Sequence, residues 1–404
     1  MNAWILFVLL AASFFHIFSI RNFVRESPLG LNFTITPLQF LDSLSIEIED
    51  NTLLEPHTRY ELKIRERLDS GSAPLYAVSY QKKEKSIEYN INGRSLNVSY
   101  IVLYDIYFSS CGGLSLETWT YVNYGEPNSW VYFGRNKLMN GPVSGHYQDL
   151  ICLGWEQSKA NFGHTIFDFL SPLMLIPEDI RKTTPIVMNG IYKFVNEVFD
   201  LMEIPNNNRV VIKENTWVHV DRCYTFLKPM VCLSVAGRAT IDLSKLLREK
   251  FDLDKIEPTR FYYSNREKLK PRYITNMEDL VESIKINFPN IPFTILRDNY
   301  RTLRETALKW AKAKLVVAPI GSNCLKLIFM KKETVVIAAQ TYEREEIYCP
   351  LLPSALSIFF LQYSALDCSQ FFNTGGPINI SLTIKMIEIG LRCVNDKKWP
   401  SDVF

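Results

Sequence analysis

No Cys-x-x-Cys pair occurs anywhere in this chain, which argues against a zinc ribbon or a thioredoxin-type redox site. Net charge is also nearly absent. The 45 Lys and Arg against 43 Asp and Glu leave +2, so electrostatics makes no case for a nucleic-acid partner. The chain lacks the polar bias of a disordered protein, since 47% of it is apolar and it holds 25 Phe and 20 Tyr. Metal signatures are scarce. Asp252-Leu-Asp254 matches D-x-D formally, but it follows the helix-like SKLLREK rather than a strongly apolar strand. It reads as a surface linker, and no metal site is expected.

Formal charge is missing altogether from Ala3 to Ile20, AWILFVLLAASFFHIFSI. Such a run is long enough to span a bilayer and long for the core of a signal peptide. No small-x-small cleavage site closes it. Arg21 and Arg25 follow it and no cation precedes it, which would keep the following chain cytoplasmic. Three N-x-S/T sequons, at Asn32, Asn97 and Asn379, argue the other way, and eight cysteines suit an oxidising lumen. Cys223 with Cys232, and Cys368 with Cys349 or Cys393, are the pairings considered. The reading adopted is a signal anchor or signal peptide over 1–21, then a stem over 22–45 broken by Pro28, Gly30 and Pro37. It implies a single-pass protein of the Golgi or endoplasmic reticulum membrane with a lumenal domain.

From 46 to 149 the sequence is strand-like, with SLNVSYIVLYDIYF rich in β-branched and aromatic residues. From 150 onward short apolar strands alternate with helical stretches. TPIVM, RVVIK and TWVHV surround YKFVNEVFDLMEI, and RFYYS, PFTIL, KLVVAP and TVVIAA alternate with helices in a second block. This pattern predicts an α/β protein with two Rossmann-like domains, at 150–237 and 258–345, and a C-terminal segment over 346–404. Ligands of such sheets lie beyond the carboxyl ends of the strands.

Two stretches fit such ends. The first is NFGHTIFDFLSPLMLIP, residues 161–177, which has no Lys, Arg or Glu. Wound as an α-helix, it places Asn161, His164, Asp168 and Ser171 within an arc of roughly 80°. A polar stripe so narrow suits a cleft better than open water, although a buried structural hydrogen bond between His164 and Asp168 is the alternative. The second is LVVAPIGSNCLKLIF, residues 315–329, a buried-type strand, a turn at Gly321, and a helix that Ser322 or Asn323 can cap. Its N–H groups would favour an anion. Arg266, Lys268, Lys270 and Arg272 follow the strand RFYYS, whose last residue is Ser264, and suit a pyrophosphate there. Arg266, nearest the strand end, is the preferred contact.

These three stretches resemble glycosyltransferase family 61, which includes plant xylan xylosyl- and arabinosyltransferases, the EGF-domain-specific O-GlcNAc transferase and protein O-mannose N-acetylglucosaminyltransferase 2. NFGHTIFDFLSPL is similar to the family's Asn-x-Gly-His-x-x-x-Asp region. RFYYSNREKLKPRYITNMEDLVESI resembles its strand, basic loop and helix, and KLVVAPIGSNCLKLIFMKKETVVIAA its closing strand, Gly-rich turn and strand. Ile320 stands where the family has a turn histidine, and Asn265 splits its serine–arginine pair.

The resemblance implies a GT-B-like fold and inverting transfer from a nucleotide-sugar, UDP-sugar by expectation, to a glycan or glycoprotein hydroxyl. It implies no cofactor beyond that co-substrate. Asp168 is the expected base, with His164 as substitute or orienting partner and Asn161 and Gly163 in support. Ser264, Arg266, Arg272, Gly321, Ser322 and Asn323 are the expected donor contacts. The rival reading is an inactive glycan- or nucleotide-binding pseudoenzyme of the same fold.

Overall fold

Two strands organise the molecule, Val143–Ile151 in its first half and Ala313–Pro319 in its second. The computed structural model describes residues 25–26, 32–33, 60–68, 77–81, 84–88, 96–110, 112–115, 120–122, 142–154, 158–159, 161–214, 216–225, 238–297, 301–322, 324–340, 352–353, 356–366 and 368–401.

Around the first strand lies an eight-stranded mixed sheet. Arg209–Val210, Ile186–Val187, Val143–Ile151 and Trp217–Thr225 run parallel. Leu96–Ser109 then joins Trp217–Thr225 antiparallel, and Tyr60–Leu68 pairs with it in turn. Around the second strand lies a seven-stranded sheet in the order Phe293–Ile295, Arg260–Tyr263, Ala313–Pro319, Val335–Gln340, Phe359–Ser364, Ala77–Gln81 and Glu84–Glu88. All its pairings are parallel except the last. The β-rich N-terminal part, read from sequence as one block, is divided between the two sheets. The C-terminal segment supplies Phe359–Ser364 and the final helix Ile380–Asp396 to the second sheet. Mixed α/β structure with parallel sheets fits the Rossmann-like, GT-B-like expectation.

Both faces of Ala313–Pro319 are buried, as a near-continuous apolar run in a parallel sheet requires. Leu315 and Val317 pack under Ile380–Asp396, where Gly390 lets the helix approach: a Cβ there would stand 3.0 Å from both Leu315 and Val335. Val316 and Ala318 face the opposite core, which also holds Ile151, Ile186 and Tyr224 of the first sheet. That shared core joins the halves. Glu197, on the helix Tyr192–Leu201 of the first half, accepts from the amides of Leu303 (2.8 Å) and Arg304 (3.2 Å). It thereby satisfies the open N-terminus of the helix Leu303–Ala311 from the other half.

Three expectations need correction. Residues 161–177 do not form one α-helix. Phe162–His164 is α-helical, Thr165–Leu170 is a π-helix, and Ser171–Leu173 returns to α geometry. No long helix opens at Gly321 either; a six-residue 3₁₀ helix spans Cys324–Phe329. Cys223 and Cys393 are buried thiols rather than disulfide halves, as are Cys152 and Cys324. Cys223 is committed to the core beside Cys152, so it is unavailable to Cys232.

Among the described residues no helix is long and apolar enough to cross a membrane. Residues 1–21, expected as the anchor, lie outside those described, as do nearly all of the stem 22–45, Asn323, Cys232 and Cys349. Of the sequon asparagines, Asn32 begins a two-residue strand, Asn97 lies in Leu96–Ser109, and exposed Asn379 caps the last helix, its side-chain oxygen accepting from the Leu382 amide at 3.0 Å.

Candidate active site

Thr165 sets the local geometry of the first motif. Its hydroxyl lies 2.6 Å from the carbonyl of Ser158 and 3.0 Å from that of Asn161, and it accepts from the Ile191 amide at 3.1 Å. The helix start is thus tied to two flanking segments. Beyond it the turn widens, with the Ser171 amide donating to Ile166, five residues back. Such π segments insert a residue into the helical ladder and recur at functional sites. Every residue from Thr165 to Leu170 is buried.

Within this helix His164 Nδ1 meets Asp168 Oδ2 at 2.5 Å. The two side chains differ in exposure, 17% for the histidine and 2% for the aspartate. The polar stripe therefore has depth. His164 stands toward the surface and Asp168 lies behind it. Ser171 lies deeper still, fully buried against the helix Arg238–Lys250, with its hydroxyl 3.3 Å from that of Thr240.

The second motif meets the first directly. Asn161 Oδ1 accepts from the Gly163 amide at 2.9 Å, as a helix cap, and from the Ser322 hydroxyl at 2.6 Å. Gly163 packs so closely on the same segment that a Cβ would stand 2.7 Å from Leu325 Cδ1. Phe162 completes the contact, its ring 6.3 Å from that of Phe329 and 5.4 Å from Lys326 Nζ. Asn161, Gly163 and Ser322 are therefore brought together.

Gly321 has φ +130, and a Cβ on it would meet the Arg272 guanidinium at 3.1–3.3 Å. Arg272 itself adopts φ 65, and its amide donates to Phe371 at 2.8 Å. Next to it Gly375 (φ +86) lets the 371–376 turn close on Tyr273; a Cβ there would fall 2.3 Å from the Tyr273 carbonyl. The cation of the basic loop that reaches the turn is thus Arg272. Arg266, the preferred contact from sequence, donates from its guanidinium to the Pro271 carbonyl at 2.9 Å and braces the loop. Lys268 and Lys270 are exposed. Buried Ser264 donates to the Leu296 carbonyl at 3.1 Å, tying strand end to strand end.

Two features escaped the sequence reading. One is Lys326, 5% exposed and set over Phe162, a cation buried beside the motif helix. Its signal was a single lysine inside the apolar run CLKLIF. The other is the role of Asn265, the residue noted for splitting the serine–arginine pair. Its side chain accepts from the amides of Arg266 and Ile274 and donates to the Ile274 carbonyl, all at 2.9 Å, so it shapes the basic loop. Asp252 and Asp254 lie on the surface, paired with Lys255 and Arg248 respectively.

Chemically, the arrangement combines a histidine backed by a buried carboxylate with cations about a glycine turn at parallel strand ends. The model of the family described as Glycosyltransferase 61 matches residues 162–337, which run from the first residue after Asn161 through the turn to Val335–Gln340. The activity class of that family is glycosyl transfer from a donor to an acceptor. No curated protein matches the chain.

Proposed function

From the match of residues 162–337 to the Glycosyltransferase 61 model, we propose that this chain is a member of that family and an inverting, metal-independent transferase using a UDP-sugar. The acceptor is a glycan or glycoprotein hydroxyl, and the setting is the lumen of the secretory pathway. The observation that carries the reading is the Asn161–Ser322 contact, which sets His164 beside the glycine turn faced by Arg272.

In this reading the base is His164 and its orienting partner is Asp168. A carboxylate 2.5 Å from Nδ1 holds that nitrogen protonated and puts the basic lone pair on Nε2. Nε2 takes the proton of the acceptor hydroxyl while its oxygen forms a bond to the anomeric carbon. The bond from that carbon to the diphosphate breaks on the opposite face, and the electron pair leaves with the diphosphate. Asp168 stabilises the imidazolium. Arg272 and the N–H groups of the turn oppose the charge of the departing group. Lys326 adds positive charge behind them. The six-residue 3₁₀ helix has little macrodipole, so the cations carry this role.

Ile320 favours a second reading. It is fully buried where the family has a histidine, so a pseudoenzyme that binds donor without transfer is the rival. Incubating the full chain with a panel of UDP-sugars and glycopeptide or oligosaccharide acceptors, in excess chelator, separates them. Acceptor-dependent UDP release with inverted product supports the transferase, and UDP binding without release supports the pseudoenzyme. A product of retained configuration sinks the inverting mechanism. Removal of N-glycans from the protein made in a secretory host tests the lumenal setting; no mobility shift with all three sequons intact counts against it.

A further inference from the structure

Within the strands of the first sheet, its exposed part gathers four side chains that the transfer chemistry does not use. His146 on Val143–Ile151 and His219 on Trp217–Thr225 are paired in register, and their rings stack at 5.0 Å with 19° between planes. Asp221 Oδ1 lies 2.7 Å from His146 Nε2 and 3.8 Å from His219 Nδ1. On the other side Asp105 Oδ1 lies 2.6 Å from His219 Nε2. Asp105 reaches it from a left-handed backbone, φ 56, inside the strand Leu96–Ser109.

The strands change face together at this level. Leu103 and Ile106, Tyr147 and Leu150, and Val220 and Cys223 all pack in one core cluster. Each pair is separated by three positions, whereas strict alternation would send its members to opposite faces. The shift in three adjacent strands leaves Asp105 and Asp221 flanking His219.

We propose that His146, His219 and Asp221 bind a divalent cation of the zinc class, with Asp105 orienting His219. One nitrogen of each ring and a carboxylate oxygen of Asp221 already lie within 4.8 Å of one another. Two ligands about a tetrahedral zinc ion stand about 3.3 Å apart at the usual Zn–N and Zn–O lengths, between the 2.7 Å and 3.8 Å found here. The tautomers are consistent. Nε2–H of His219 donated to Asp105 leaves the lone pair of Nδ1 facing the Asp221 oxygen, where a cation resolves the repulsion. A carboxylate behind a ligating histidine is the recurring arrangement of such sites. Two stacked imidazolium rings would repel each other, which disfavours the rival in which both are simply protonated ion-pair partners. Three protein ligands leave one position for water or for a ligand from elsewhere. The site joins two neighbouring strands and lies five residues before Ile151, so it is separate from the transfer site.

Calorimetric titration of the metal-free full chain with zinc chloride tests this. One ion per chain is expected, with affinity falling at least tenfold in His146→Ala and in His219→Ala, and ten- to a hundredfold in Asp105→Asn. Melting temperature should rise with zinc in the wild type and not in the histidine variants. Because these side chains are partly exposed, the metal-free variants should melt near the wild type; His146→Gln serves where His146→Ala does not fold. Absence of stoichiometric binding, or binding that both histidine substitutions leave unchanged, overturns the proposal.

Discussion

The hydroxyl of Ser322 donates to Oδ1 of Asn161 at 2.6 Å, joining two motifs 161 positions apart in the chain. The same oxygen caps the helix that carries His164. One side chain therefore fixes both the start of that helix and its distance from the glycine turn.

Asn161→Ala should remove the cap and the bridge together. A cap is worth about 1 kcal/mol and a partly buried hydrogen bond about 0.5–1.5 kcal/mol, so a loss of roughly 2 kcal/mol is expected in denaturant unfolding. Ser322→Ala should lose only the bridge. Gly163→Ala should cost about 1–3 kcal/mol by overpacking, because its Cβ would stand 2.7 Å from Leu325 Cδ1. Trimming the obstacle in Gly163→Ala/Leu325→Ala should recover part of that loss relative to the sum of the two single changes. Strict additivity would mean that the two residues do not constrain each other.

Arg272→Ala should weaken UDP binding about ten- to a hundredfold, the effect of losing a charge-assisted contact worth roughly 1.5–3 kcal/mol. Arg266→Ala should act mainly on the loop, whose carbonyl at Pro271 it holds. Its signature is a lower melting temperature with a smaller change in affinity. Calorimetry with excess chelator reads both. A larger affinity loss for Arg266 than for Arg272 would return the diphosphate contact to the sequence-based choice.

Burial pushes the Cys393 thiol up to about 12, against the pull of the Arg392 charge, and pushes Cys152 well above the usual range, with Cys223 adding to it. Both thiols stay protonated in the folded protein where an unfolded thiol, near 8.5, ionises. Their contribution to stability is therefore complete below about pH 8.5 and is lost as pH rises through the folded values. At pH 8 the buried Cys393 stays a thiol, so alkylation should require unfolding. Peptide mapping after labelling with and without denaturant checks this. Recovery of Cys223 linked to Cys232 would contradict its place beside Cys152.

The legible parts of this chain were those governed by local rules. Apolar runs such as KLVVAP announced buried parallel strands. His164 and Asp168 could be paired because i and i+4 share a helix face. Depth was not legible. Nothing in NFGHTIFDFLSPL says that the turn widens at Thr165, or that Asp168 lies behind His164. Those facts come from the tertiary ties of Thr165 to Ser158 and Ile191. Likewise Arg266 looked closest to the strand end by counting, but Arg272 reaches Gly321 because residues 371–376, about a hundred positions away, hold the loop. Non-local contacts decided every residue-level choice that local counting missed.

The deepest consequence of that geometry concerns the proton. If His164 accepts it and Asp168 orients the ring, His164→Ala should lower turnover by about 10²–10⁴, the usual contribution of a general base. Asp168→Asn should lower it substantially as well, because an amide can favour the other tautomer and no longer stabilises the imidazolium. Donor affinity should barely change in either variant, since neither group meets the diphosphate. The 2% exposure of Asp168 makes its loss the more dangerous for folding, so melting curves belong with the kinetics. The decisive comparison is His164→Gln, which keeps polarity and approximate size and removes the basic nitrogen. Near-normal turnover in His164→Gln, with Asp168→Asn inactive but folded, would return the base to Asp168. Near-normal turnover of the folded fraction in both would make the pair a structural tie holding a buried π-helix.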